Sequence, residues 1–463
     1  LLTLLGVATA SHAQTPRDTM RLTVAEAVQR AVRGSDEAQL ASLGVTIADA
    51  QLASARAGAL PQLSLNGQYS QVVRNARAEI VGAVFGQAFN YSANATLSQP
   101  LFQGGRAVYA WRGADRVRSA TRLDVAETRA ALAVDAQRVY LNALFAARLA
   151  QIQRDGVRLA RTRVAQVEQL EAGGRAARYD VLRARVEAAN LEPVALQAEN
   201  EQQLAELELR RLLNLPAEQV LLLTTQLDTL TAAAALDAVA TADVDVFDRP
   251  AVQSASLTLQ ARRDAVGIAR AEFLPTVSVF VRSGFLALPA LPGLPNRWGV
   301  TSAENCPTGS PATRVCQNDG WFRDESFGLQ VSWPLFDAGR AKAGLDIATA
   351  QARIAEVQLR QQRETVTLEV TRALAELARA RAAFTARRAT AAEASEAFAL
   401  ASLRFERGIG TALEVSDAQL AFLTAQANEA RAVYDLHLAV AELARAQGRP
   451  VPIAGTSTPY SAR

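Results

Sequence analysis

The stretch SQPLFQGGRA, Ser98 to Ala107, is written again as SWPLFDAGRA, Ser332 to Ala341, with seven of ten letters unchanged. The second copy begins 234 positions after the first, and a fixed-offset self-match is the signature of a duplicated architecture. The same offset carries Gly174 onto Gly408, Asp180 onto Glu414, Val181 onto Val415 and Ala184 onto Ala418 with no insertion. Upstream, LPQLSL at Leu60 matches LPTVSV at Leu274 at an offset of 214, so the second copy has gained twenty residues between that motif and PLF, in a loop.

Around each PLF motif the hydrophobic period is two. Leu63, Leu65 and Tyr69 alternate with Gln62, Ser64, Asn66, Gln68 and Ser70, and Phe89, Tyr91, Ala93, Ala95 and Leu97 with Asn90, Ser92, Asn94, Thr96 and Ser98. In the second copy Val277, Val279 and Val281 oppose Thr276, Ser278 and Arg282, while Phe327, Leu329, Val331 and Trp333 oppose Ser326, Gln330 and Ser332. Four strands of about ten residues with aromatics near their ends match the pattern of outer-membrane barrel strands, with one face toward lipid.

After each PLF motif the period becomes helical. No proline falls between Pro100 and Pro193 or between Pro334 and Pro450. Leu141, Phe145, Leu149, Ile152 and Leu159, and Leu359, Val366, Val370, Leu374, Leu377 and Phe384, follow coiled-coil spacing. A helix from Arg106 to Glu171 would be on the order of 100 Å long at ~1.5 Å per residue. Gly173 and Gly174 in the first copy, and Gly408 and Gly410 in the second, break each run before periodicity resumes, which reads as a helical hairpin turned at its tip. Each repeat is therefore strand, strand, long helix, tip, returning helix. At Pro100 and Pro334 the proline is expected to end strand pairing, and Gly105 and Gly339 to re-aim the chain into the helix. Four strands cannot close a barrel and an open edge cannot face lipid, so a homotrimer with twelve strands is expected.

The opening run LLTLLGVATASHAQ ends in the small-residue pattern Ser11-His12-Ala13 and resembles the end of a secretory signal. Residues 1–13 are read as its remnant, with cleavage after Ala13; Gln14 rather than Cys follows, which argues against a lipid anchor. No other window approaches eighteen consecutive apolar residues, so any membrane span must be β.

Composition excludes several classes. With 49 basic and 46 acidic side chains spread along helices, no basic patch points to nucleic acid. Past residue 13 one histidine (His437) and one lysine (Lys342) remain, with no GxSxG, no Walker loop and no metal-spaced His or Cys cluster; no enzyme activity, metal or cofactor is expected. His437 reads as a helix-packing residue. Cys306 and Cys316 lie in the enlarged loop 289–326 with Pro307, Gly309 and Pro311 between them, and export makes an oxidised pair that staples that loop the expectation.

These residues resemble the TolC-like outer membrane efflux proteins, from LTVAEAVQRAV at Leu22 through both PLF motifs to YDLHLAVAELARAQG ending at Gly448. The tip stretches GGRAARYDVLRAR at Gly173 and GIGTALEVSDAQ at Gly408 are similar to the family's two hairpin turns. The resemblance implies a mainly α fold in which a trimeric 12-stranded β-barrel continues into a long α-helical periplasmic barrel, with repeats at 14–235 and 236–463. It implies passive conduction of substrates delivered by a periplasmic adaptor protein and an inner-membrane transporter, in drug efflux or type I secretion. It also implies an entrance narrowed by inward carboxylates, matched here by Glu414 and Asp417 with Asp180 in the first repeat, and adaptor contact at the tips, around Gly173, Gly174, Arg175, Gly408 and Gly410. Arg183 stands where a second acid would fall in the first repeat, and Gly410 where some relatives carry a basic residue. Six carboxylates around a threefold axis compete with a simpler reading, in which acids merely complement a helix N-terminus. The alternative function is a periplasmic coiled-coil adaptor or stalk without a channel; lipid-facing strands discriminate against it.

Overall fold

A computed structural model of the chain describes residues 19–74, 89–225, 248–289, 292–295, 298, 320–454 and 460. Residues 1–13, read above as a signal remnant, Cys306 and Cys316, and most of loop 289–326 lie outside the described residues. In chain order the elements are β1 (Thr19–Leu22), α1 (Val24–Gly34), α2 (Asp36–Ala57), β2 (Gln62–Gln71), β3 (Phe89–Phe102), α3 (Arg106–Ala172), α4 (Arg178–Leu212), β4 (Val220–Leu223), α5 (Pro250–Ala271), β5 (Thr276–Ala287), β6 (Trp321–Ser332), α6 (Arg340–Glu406) and α7 (Ala412–Ala446). The helices come in matched lengths: α2 and α5 have 22 residues each, α3 and α6 have 67, and α4 and α7 have 35. Arg106 and Arg340 begin the long pair at the offset of the PLF motifs, as Asp36 and Pro250 begin the short pair at the smaller one.

The chain divides into two compact units. One comprises Leu1–Thr46, Ala120–Ser256 and Gln358–Arg463. Its core gathers Leu22, Val24, Val28, Leu132, Tyr140, Leu141, Leu209 and Leu212, all buried. Helix α1 starts on a capping box: Glu26 N donates to Thr23 Oγ1 at 3.3 Å, and Thr23 N donates to Glu26 Oε2 at 2.8 Å. Its apolar face, Val24, Ala27, Val28, Ala31 and Val32, is buried. A parallel pair, β1 with β4, was not foreseen from the sequence; Tyr140 Oη donates to Leu22 O at 2.7 Å and ties α3 to it. Each strand is four residues long, too short to show a period. In α7, Leu436, Val440 and Leu443 pack with Leu377 and Ala380 of α6. Arg249, just before α5, is buried and bonded to Glu127 of α3 at 2.7 Å and Glu369 of α6 at 2.6 Å, and Arg445 approaches the same two carboxylates at 3.5 and 3.8 Å.

The other unit comprises Ile47–Ser119 and Leu257–Val357 and holds one antiparallel sheet in the order β2-β3-β5-β6. The register aligns Leu63, Leu97, Val281 and Phe327 in one row, and Ser64, Thr96, Arg282 and Ser326 in the next. Alternate rows therefore face opposite ways, one side mainly apolar, though Arg323 and Glu325 pair on it, and the other mainly polar, though Phe280, Leu286 and Phe322 stand on it. On that mainly apolar side the rings of Tyr69 and Tyr91 meet at a tilt of 32° with centroids 4.9 Å apart, in the row that ends at Trp321.

One expectation is corrected here. Pro100 does not end the pairing of β3, which continues to Phe102; instead the ladder shifts, with Pro100 opposite Ser278 and Phe102 opposite Val277. The irregularity accommodates the missing N–H and moves Phe102 onto the apolar face with Val277 and Val331. In the second copy β6 does end before Pro334, at Ser332. Both turns then use left-handed backbone: Gly104 and Gly105 at φ 60° and 82°, Ala338 and Gly339 at 55° and 88°. The Asp337 carboxylate accepts from the amides of Ala341 (2.7 Å) and Gly339 (3.0 Å), and the first of these bonds chiefly holds its pKa below the ordinary carboxylate range.

Candidate functional site at the helical turns

The two tips are built alike. Helix α3 ends with Gly174 at φ 70°, its amide donating to Glu171 O at 2.8 Å, while Arg175 N reaches back to Leu170 O at 2.8 Å. Helix α6 ends with Gly408 at φ 76°, bonded to Phe405 O at 2.9 Å, with Ile409 N on Arg404 O at 3.0 Å. This is the Schellman closure, in which a left-handed C′ residue lets the next amide satisfy an orphan carbonyl. Gly173 keeps a helical bond to Gln169 O (3.1 Å), and Gly410 sits against the turn before it: a Cβ there would stand 3.1 Å from both Arg404 Cβ and Phe405 N. A Cβ on Gly408 would lie 3.8 Å from Arg175 Nη2, so Arg175 of the first tip reaches the second.

The acids sit in the first turns of the returning helices. The Asp180 carboxylate accepts from Ala177 N at 3.2 Å, capping α4. Thr411 caps α7, its hydroxyl accepting from Glu414 N at 3.2 Å, and the Glu414 carboxylate lies 3.7 Å from Arg404. The dipole-complementing role is therefore present at Asp180 and Glu414. Asp417, a turn further on, is exposed and lines a cleft of about 300 Å³ with Arg183, Glu187 and Ser416. Arg183, in the position without an acid, bonds Glu187 Oε1 at 3.0 Å.

Behind the tips lies a polar knot that sequence reasoning missed. Arg163 of α3, only 7% exposed, donates to Gln419 Oε1 of α7 at 2.8 Å, and Gln419 Nε2 donates to Gly156 O at 3.3 Å. Ser416 donates to Glu187 Oε2, which is 3.9 Å from Arg163. Burial pulls the Arg163 pKa down, partly offset by Glu187. The signal was present: Ile152, Gly156, Arg163 and Val167 are all buried at coiled-coil spacings in α3, as are Val415, Gln419 and Leu423 in α7, so polar residues occupy seam positions.

Among the described residues no group of His, Cys, Asp and Glu is placed to hold a metal ion, and no helix is long and apolar enough to cross a membrane. His437 is buried in α7, its Nε2 without a hydrogen-bond partner, and burial pushes its pKa down to about 4.

Paired long helices with glycine-closed tips and a four-stranded sheet that is apolar on one face define the class of TolC-like outer membrane channels by fold. Two stretches, residues 16–215 and 248–449, match the family model described as outer membrane efflux protein, and the chain belongs to that family, which is one of the outer membrane. It is 31% identical over 199 residues to the outer membrane protein OprJ of Pseudomonas aeruginosa, covering 42% of this chain and 36% of that one. It is 29% identical over 181 residues to the solvent efflux pump outer membrane protein SrpC of Pseudomonas putida, covering 39% and 33%. These matches span about a third of the length of the curated relatives. In fold, it is similar to CusC (TM-score 0.72, 20% identity, 92% of each chain) and to VceC of Vibrio cholerae (0.71, 18%, 92% of this chain and 96% of that one).

Proposed function

We propose that the chain is one third of a homotrimeric outer membrane channel, which passively conducts substrates handed on by an inner-membrane transporter and a periplasmic adaptor protein. The observation that carries this reading is the sheet. Its edge strands β2 and β6 have no neighbour on their outer sides among the described residues, and Leu65 and Phe327 on its apolar side are 82% and 87% exposed. Lipid suits that face, but unpaired edges in lipid cost several kcal/mol per group, so closure is required. Strands β2 and β6 run antiparallel to each other, so β6 of one copy beside β2 of the next continues the alternation around a ring. Three copies give twelve strands. A periplasmic stalk without a channel leaves the apolar face unexplained.

In this trimer the matched helices form the periplasmic extension, and the tips contact the adaptor through Gly173, Gly174, Arg175, Gly408 and Gly410. Glu414 and Asp417, about 4.5 Å apart in rise, stack two carboxylate rings at the entrance, to which Asp180 adds. Confined like charges favour cation binding. Crosslinking in mild detergent should stop at three chains, and the purified protein should open cation-preferring channels in planar bilayers. Glu414→Gln with Asp417→Asn should lower that preference and leave assembly intact. A stable folded monomer would overturn the trimer, and an unchanged preference in the double variant would reduce these acids to helix caps.

A further inference from the structure

The polar face of the sheet carries one built feature. Gly328 of β6 has no side chain to fill its place, and Phe280 of β5, its register partner, covers it: a Cβ on Gly328 would stand 3.0 Å from Phe280 Cζ. Two residues on, Arg282 lays its guanidinium over the same ring, 5.9 Å from the centroid. Its row is otherwise small hydroxyls, Ser64, Thr96 and Ser326. No carboxylate lies within ion-pairing distance of Arg282 among the described residues, and the side chain is exposed. The other charge on this face, Asp324, is in the adjoining row opposite Gly284, whereas Arg282 leans the other way, onto Phe280.

An arginine held on an aromatic platform keeps its donors turned outward in a fixed plane, which suits carboxylate, sulfonate or phosphate groups. The ring also restricts its rotamers, so less entropy is lost on binding. Resting on the trimeric channel proposed above, where the apolar side meets lipid and the polar side faces the lumen, we propose that Arg282 on its Phe280–Gly328 platform forms a ring of three guanidiniums inside the barrel that recognises passing anionic groups. The conduit would then present acids at its helical entrance and a cationic station in the barrel wall.

The test uses the full-length protein in planar bilayers. Potassium-to-chloride permeability is read from reversal potentials, and block by inositol hexakisphosphate from the side opposite the helical tips is titrated. Relative to wild type, R282Q should cut relative chloride permeability at least twofold and raise the half-blocking concentration at least tenfold. D324N should keep or strengthen block. R282K should retain the permeability ratio while losing part of the block, because a point charge lacks the planar fork, and F280A should behave between wild type and R282Q. R282Q channels equal to wild type in both readouts would overturn the proposal and leave the channel reading standing. A wild-type protein that assembles yet conducts nothing would overturn the channel reading, and this proposal with it.

Discussion

Arg163 and Gln419 are 256 residues apart in sequence, yet one guanidinium donor of the first meets the amide oxygen of the second at 2.8 Å, behind the helical tips. The bond joins the outgoing helix of one half to the returning helix of the other, and it is buried. Replacing Gln419 by Ala removes the acceptor and leaves a desolvated cation with Glu187 at 3.9 Å as its nearest charge. The cost should be about 1–3 kcal/mol, read as a lower midpoint in thermal unfolding followed by circular dichroism. Gln419→Glu, which keeps an acceptor oxygen, should lose less.

The strand-to-helix turns should respond to substitution with opposite signs. Ala338 holds φ 55°, a conformation that costs an L-residue about 1 kcal/mol relative to Gly, so Ala338→Gly should stabilise by roughly that amount. At the matching place Gly104→Ala adds a Cβ 2.9 Å from Leu274 Cβ and 3.0 Å from Ala271 O as well as the backbone strain. Its loss of stability should exceed the gain at Ala338 when both variants are melted side by side.

Buried His437 is neutral in the fold, with its pKa lowered from 6.5 to about 4. The unfolded chain takes up a proton as the pH falls below 6.5, whereas the folded chain resists until about 4. Stability should therefore fall with acidification across that window, by up to about 1.4 kcal/mol per pH unit per chain from this group. His437→Leu should flatten the dependence of the melting temperature between pH 7 and pH 5. An unaltered slope would mean that the imidazole takes up its proton as readily in the fold as in the unfolded chain.

Arg249 is buried and the three charges gathered on it, Glu127, Glu369 and Arg445, are half-buried, two arginines on two glutamates. Arg249→Gln leaves the half-buried Glu127 and Glu369 with Arg445 alone, and because solvent reaches both carboxylates the cost should lie below the ~3–5 kcal/mol of a fully buried pair. The expected result is loss of most folded protein from membranes at growth temperature. Glu127→Gln combined with Arg249→Gln should recover part of it, since one uncompensated charge has gone.

Much of this was legible because it depends on local chemistry. The stretch from Arg106 to about Glu171 read as helix because no proline interrupts a coiled-coil period, and the helix runs from Arg106 to Ala172. The helix ends near Gly174 and Gly408 depend on local chemistry too, because a left-handed C′ position selects glycine. The alternation from Gln62 and from Thr276 marked strands because the pleat turns successive side chains to opposite faces. The acids at Asp180 and Glu414 were legible as first-turn residues, but whether a carboxylate caps its own helix or faces outward depends on partners that spacing does not specify.

The sequence by itself determined the lengths of the helices, the places where they turn and the two-faced strands, because propensity, periodicity and glycine stereochemistry act over a few neighbouring residues. Tertiary structure alone decided that β3 pairs with β5, that β1 meets β4 across 201 positions from Thr19 to Val220, and that the ladder shift past Pro100 carries Phe102 to the apolar face. It also decided that Arg163 finds Gln419 and that Arg282 lies on Phe280. Such pairings are set by which distant surfaces bury against each other, and a buried polar group takes whatever partner the packed fold brings within reach.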